Sequence, residues 1–297
     1  MNKPLTPPPG ARVDVAVIGA AGQTGRPLVR CLSRHGARVR AVVHRMNQAE
    51  QTPDAVTVKA TALDDVAGLT AALEGVAVAY YIPPVFSPAE KRFGSNVISA
   101  AVAAKLPRLV YHSVLHAPTP SMPHHQRKAM VELALRESPL TWTIVQPAMY
   151  MQTPLAFLNA ARTKLTVGFD LCKLFTPVDL EDLAEAAATI LLESGHDYAT
   201  YELAGAERIN FRDMAAAMSR ALGWPVAARS IPSALVSGVA AMRLGPRVLF
   251  EMKAMLDHYD AHGFAGNATI LRMLLRREPM AFADVMKRDL KAARART

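Results

Sequence analysis

Residues 13–25, Val-Asp-Val-Ala-Val-Ile-Gly-Ala-Ala-Gly-Gln-Thr-Gly, constrain the fold more than any other segment of this chain. A β-branched apolar run stops at Gly19, two more glycines follow at steps of three, and Arg-Pro-Leu-Val-Arg-Cys-Leu continues with helical spacing. The pattern predicts a strand, a tight turn and a helix N-terminus. Gly19 takes the sharp turn, Gly22 has no side chain to hold a pyrophosphate away, and Gly25 lets the helix pack closely on the sheet. Gln23 and Thr24 complete the turn, where free N–H groups and the positive helix end face an anion. The spacing is Gly-x-x-Gly-x-x-Gly, not Gly-x-Gly-x-x-Gly, and glycine-rich turns also join strands to helices without any ligand, so the surroundings decide.

A helix over 24–35 and a strand over 38–43 complete a βαβ unit. An acid after that second strand would hold the hydroxyls of an adenosine ribose, but His44 and Arg45 stand there. A guanidinium can pair bidentately with a 2′-phosphate, so NADP(H) is favoured over NAD(H); Arg45 as a plain surface arginine is the alternative. Strands at 55–59, 76–82 and 108–112 alternate with helices at 65–73, closed by Gly75, and at 88–104, and Pro83 and Pro84 stop the middle strand. A sixth strand covers 141–146. Right-handed crossovers place such strands in a doubly wound parallel sheet, with ligands gathered at the carboxyl ends: Gly19, His44, Ala62, Pro83 and Ser113.

The chain has 297 residues, 51% of them apolar, enough for a large α/β domain or a nucleotide domain with a smaller partner. Lys and Arg number 34 against 25 Asp and Glu, a formal charge of +9. The excess is spread along the chain, with a modest cluster at 287–296, and a solvated basic surface is favoured over nucleic-acid binding. Two distant cysteines, Cys31 and Cys172, make neither a disulfide framework nor metal spacing, and a cytoplasmic setting is expected. Residues 1–11, with four prolines, read as a disordered leader, and charges break every apolar run before it reaches membrane-spanning length.

The chemistry is expected between 111 and 137. Tyr111-His112-Ser113 leaves the fifth strand, a proline-rich loop leads to His124-His125-Gln126-Arg127-Lys128, and a helix follows over 129–137. His124 and Lys128 are four apart and share a face if that helix starts early enough. Lys128 can hold nicotinamide-ribose hydroxyls and His124 can relay a proton, or these residues and His116 and His125 decorate a polar loop. No carboxylate or cysteine lies at zinc-ligand spacing among the histidines, and no metal is expected.

The glycine turn, Arg45, the Tyr111-His112-Ser113 strand end, Lys128 with Glu132, and Thr143-Ile-Val-Gln-Pro147 together resemble the NmrA-like group of atypical short-chain dehydrogenases. So do Thr176-Pro-Val-Asp179 with Asp182, Tyr201-Glu-Leu-Ala-Gly205, and His262-Gly-Phe-Ala-Gly266-Asn267. The resemblance implies a Rossmann fold with a smaller C-terminal domain closing a cleft over NADP(H). It also implies either a reductase of quinones or small carbonyl compounds, or a redox sensor that binds a regulatory partner. Ser113, His124 and Lys128 would form an altered triad in which histidine, with a pKa near 6.5, replaces the usual tyrosine as a stronger acid at neutral pH. Relatives often place an aspartate where Ala62 stands, so adenine is expected to be held by apolar contact or by Asp64. Pro147 should turn beneath the nicotinamide, and Tyr150 stacks on it, donates a proton or simply packs.

The expected architecture is thus an α/β Rossmann domain over 12–150 and a smaller, mainly helical domain over 151–297, parts of which can rejoin the sheet. Within the latter, helices at 179–192 and 211–222 and strands at 201–203 and 227–231 precede a methionine-rich helical end. Phe250, Met255, Tyr259 and Phe264 are candidates for a pocket lid or a homodimer contact. The favoured function is an NADPH-dependent reductase of a small apolar acceptor such as a quinone or enone, with no membrane or nucleic-acid partner; the alternative is a non-catalytic NADP(H) sensor acting on a protein.

Overall fold

Alternating strands and helices follow one another from residue 14 as the hydrophobic pattern requires. The computed structural model describes residues 14–246 and 248–294, so the leader at 1–11 and the end of the basic cluster, 295–296, lie outside the described residues. In chain order the elements are β1 (Asp14–Ile18), α1 (Gly25–Arg34), β2 (Arg38–Val43), β3 (Thr57–Ala60), α2 (Val66–Leu73), β4 (Val78–Tyr81), α3 (Glu90–Ala103) and β5 (Arg108–His112). They continue with α4 (Pro123–Arg136), β6 (Thr141–Pro147), β7 (Lys164–Val167), α5 (Leu180–Leu192), β8 (Ala199–Leu203) and α6 (Phe211–Leu222). Last come β9 (Ala227–Ser230), α7 (Ser233–Leu244), α8 (Val248–His262), α9 (Thr269–Leu275) and α10 (Phe282–Arg294).

Seven strands form one sheet in the order β3-β2-β1-β4-β5-β6-β8. The pairs from β3 to β6 are parallel, and Ile18 lies opposite both Val42 and Tyr81, so the strand ends fall in one row. Strands buried on both faces are apolar at successive positions, which is why β4 and the middle of β1 and β5 read as continuous hydrophobic runs. On one face Ile18, Tyr81, Leu109, Tyr111 and Ile144 pack with Leu69, Leu73, Val97, Ala100, Val131 and Leu135 of α2, α3 and α4. At Arg108, one residue out of phase with Leu109, Nη2 donates to the Ile190 and Leu191 carbonyls of α5 instead. Helices therefore cover both faces, and the doubly wound parallel sheet is as the pattern predicts.

One compact unit runs through Pro118 and includes His124–Gln146 and Leu183–Tyr201; the second comprises Thr119–Pro123, Pro147–Asp182 and the chain from Glu202 onward. In the second unit β7 and β9 form a small parallel sheet, α6 packs on α10 and α7 on α8. Its core is a ring cluster of Phe169, Phe175, Phe211, Tyr259 and Phe264, with centroid separations from 4.9 to 5.9 Å. This corrects the suggested lid: Tyr259 and Phe264 are buried in that core, while Phe250 is 69% exposed. Two other elements differ from expectation. Strand β7 was hidden by its short length and mixed polarity, and α4 begins at Pro123, six residues before the predicted start. No helix of the described residues is long and apolar enough to cross a membrane.

Candidate functional site

The three glycines do three different jobs at the end of β1. Gly19 has φ +85°, and a Cβ there would stand 2.7 Å from the Ile82 carbonyl oxygen. At Gly25 a Cβ would meet the Gly19 and Ala20 carbonyl oxygens at 2.3 and 2.5 Å, so the start of α1 lies hard against the turn. At Gly22, which is itself exposed, it would meet the Gly19 oxygen at a tight 3.2 Å. Thr24 makes no capping bond with its side chain, and the first turn of α1 carries no acid. The dipole end is thus not neutralised by a carboxylate, and this suits it to a phosphate. Gln23 is exposed beside it.

His44 and Arg45 follow β2, both exposed. Arg45 has extended backbone (φ −138°, ψ 146°), and its N–H donates to Gln48 Oε1 while its carbonyl accepts from the Gln48 N–H. The short 3-10 helix Met46–Gln51 thereby anchors its main chain, and the guanidinium makes no ion pair among the described residues. Asp64, offered for adenine, is exposed and pairs with Arg92 at 3.0 Å. Its neighbour Asp65 accepts from the Gly68 N–H and caps α2.

Helix α4 carries His124, Lys128 and Glu132 at intervals of four, along one face. Lys128 Nζ donates to Glu90 Oε1 at 2.6 Å, and Tyr111 Oη donates to the same oxygen at 3.2 Å. Glu90, the first residue of α3, is 0% exposed, and the Lys128 side chain is 12% exposed. Burial pushes the Lys128 amine down, and the Glu90 charge and hydrogen bond oppose it. The sequence reading missed Glu90, because a glutamate in a helix's first turn ordinarily just complements the dipole in solvent. Only its zero exposure distinguishes it.

The Ser113 hydroxyl donates to Glu132 Oε1, which also accepts from Gln146 Nε2 at 2.7 Å. Arg136 closes that network on Glu132 Oε2 at 3.1 and 3.2 Å. His124 is buried, edge-on to Phe86 and to His125 at 4.9 and 4.5 Å between centroids. Burial, then the charges of His125, Lys128 and Arg127, push its pKa down to about 2. Taking the ring out of water disfavours its charged form, which works against the expected imidazolium acid. His112, bonded to Tyr80 Oη at 2.8 Å, is likewise pushed down to about 3 by burial, with Lys128 adding to it. Pro83 is buried after β4.

Pro147 and Tyr150 belong to the second unit, where Pro147 is buried and half-buried Tyr150 is bridged through its backbone to Val178. The acids of the 176–182 segment are structural there. Asp179, fully buried, accepts from both Arg288 Nη atoms at 2.8 and 2.9 Å and from Gln152 Nε2 at 2.7 Å. Asp182 accepts from the Met280 N–H at 2.6 Å and pairs with Arg277 at 2.8 Å. Among the described residues no three His, Cys, Asp or Glu side chains are grouped to hold a metal.

The chain is similar to several known proteins. Quinone oxidoreductase 2 of Escherichia coli (strain K12) is 28% identical over 224 residues, 74% of this chain and 78% of that protein. An E. coli NADPH-dependent quinone oxidoreductase, QOR2, solved with NADPH, superposes with a TM-score of 0.81 at 25% identity, over 92% of this chain and 99% of that one. The NAD(P)H azoreductase of Xenophilus azovorans is 29% identical over 216 residues, 71% of this chain and 75% of that protein. NmrA, a negative transcriptional regulator solved with NAD, shares the fold with a TM-score of 0.74 at 19% identity, over 95% of this chain and 96% of that one. Residues 12–275 match the NmrA-like family, and this chain belongs to it.

Proposed function

We propose that this protein binds NADP(H) at residues 19–25 and Arg45 and reduces a small apolar two-electron acceptor, such as a quinone or an enone. The observation that carries the reading is the glycine turn, close-packed at Gly19 and Gly25 and exposed at Gly22, in a chain similar over most of its length to a quinone reductase. Side chains at 19 and 25 would strike the turn's own backbone oxygens and that of Ile82, and exposed Gly22 has none to hold a pyrophosphate away. Arg45, exposed and without an ion pair among the described residues, suits a 2′-phosphate.

The chemistry the cofactor supplies when bound is hydride transfer from its nicotinamide. What the chain contributes is position and charge. The N-terminus of α1 and Arg45 orient the dinucleotide by its phosphates, and the Lys128 ammonium stabilises negative charge developing on an acceptor oxygen. Neither Ser113, committed to Glu132, nor neutral His124 provides an acid at neutral pH. The same observation favours the second reading, an NADP(H) sensor without turnover that regulates a partner protein.

Loss of NADPH absorbance with a panel of quinones, enones and azo compounds separates the two. Acceptor-dependent oxidation is expected, and it should fall at least about tenfold in Lys128→Met, the scale of one charge-assisted hydrogen bond. Tight NADPH binding with no acceptor reduced overturns the reductase reading in favour of the sensor.

A further inference from the structure

Glu90 is a carboxylate with no exposure at all, at the one place in the first unit where a lysine is nearly buried with it. A buried charge persists only when paired and hydrogen-bonded, so the arrangement is specific. Lys128 Nζ and Tyr111 Oη both donate to Glu90 Oε1. Glu90 Oε2 and the buried Tyr81 hydroxyl make no hydrogen bond within the described protein. The helix packing explains how the short glutamate reaches. One turn beyond Glu90, Gly94 faces Val131, and a Cβ at 94 would stand 2.6 Å from both Val131 methyl carbons. The missing side chain brings α3 and α4 together along the strip that holds Glu90 and Lys128.

We propose that Glu90 is a positioning residue: it keeps Lys128 charged and fixed beside the last residues of β4 and β5, where it serves the cofactor. This rests on the NADP(H)-binding reading above. The groups acting on the amine are Glu90 from α3, His112 from β5, and His124, Arg127 and Glu132 from α4, while Tyr81 from β4 and Tyr111 from β5 face the Glu90 carboxylate. Burial and Arg127 disfavour the ammonium; Glu90 and, more weakly, Glu132 favour it. His112 and His124 are neutral and the tyrosines protonated at neutral pH, since burial pushes the histidines down and the phenols up. Glu90 is therefore the principal group that holds the proton on Lys128.

The test is titration of the lysine side-chain nitrogens by NMR in the cofactor-free protein, with Lys128→Arg assigning the signal, alongside NADPH affinity from pH 6.5 to 9. In Glu90→Gln the Lys128 midpoint should move down, and NADPH affinity should fall with pH above it, by up to about tenfold per pH unit. Glu90→Asp should recover part of the shift. A merely structural Glu90 would lower the unfolding temperature of Glu90→Gln and leave the Lys128 midpoint in place, and that result overturns the proposal. Should Glu90→Gln fail to fold, Gly94→Ala drives α3 away from Val131 and should move the midpoint down; an unchanged midpoint in folded Gly94→Ala overturns it equally. Because the titration needs neither cofactor nor acceptor, its failure leaves the NADP(H) reading standing. A shifted midpoint with NADPH affinity independent of pH overturns the link between Lys128 and the cofactor.

Discussion

In the proposed function, Arg45 is the residue on which cofactor choice turns. Its side chain is exposed, so removing it leaves no hole and exposes no buried partner. Arg45→Ala is expected to weaken NADPH by about 10- to 100-fold, from roughly 1.5–3 kcal/mol of charge-assisted hydrogen bonding, and to leave NADH unchanged. Fluorescence titration with both cofactors checks it; equal losses would remove the 2′-phosphate assignment. The place of Arg45, exposed after the second strand of a βαβ unit, was legible in the sequence. Glu90 was not. Its neighbours in sequence, Ala89 and Lys91, give no sign that the chain turns its carboxylate toward Tyr111 and Lys128, residues 21 and 38 positions away.

At the scale of elements, α4 shows how packing extends a helix beyond its sequence signal. Histidine is a middling helix former, and a loop of prolines precedes His124 and His125, so the first turn reads as loop. In the fold Pro123 starts the helix, a position proline suits, and His124 packs on Phe86. Burial has a consequence for stability. His112 and His124 have folded pKa values of about 3 and about 2, below the unfolded value of 6.5. Between those limits the unfolded chain binds more protons than the folded one, so stability is intact above pH 6.5 and is lost as pH falls. Each histidine contributes a slope of up to about 1.4 kcal/mol per pH unit. Urea midpoints measured from pH 7.5 to 4.5 should decline, and His124→Phe should flatten the decline. An identical slope in that variant would show that His124 does not remain neutral in the fold.

For the molecule as a whole, the charged residues of the 176–182 segment carry stability and not chemistry. Asp179 ties the start of α5 to α10 through Arg288 and to Gln152 within the second unit. Burial works to raise the Asp179 pKa, but the hydrogen bonds from Arg288 and Gln152 overcome it and hold the carboxyl below its usual range. Its contribution is therefore present above the ordinary aspartate pKa and lost as pH drops below it. Asp179→Asn should cost about 3 kcal/mol, the lower end for a broken buried pair because Arg288 keeps some solvent contact. Calorimetry at neutral pH should show a lower Tm with NADPH affinity unchanged. A loss of affinity in the folded variant would instead give this segment a part in binding.

By itself the sequence determined the alternation of strands and helices, the doubly wound parallel sheet, the glycine turn and the cation after β2. These are local patterns of apolar period, glycine geometry and residue position, and they survive any rearrangement of distant side chains. Tertiary structure alone decided the states of the groups around Lys128. Whether His124 is charged, whether the Ser113 hydroxyl is committed and whether a glutamate is buried depend on desolvation and on partners brought from other elements. Gly94 and Val131, 37 positions apart, set the helix spacing that lets Glu90 reach Lys128, and no window of sequence contains both.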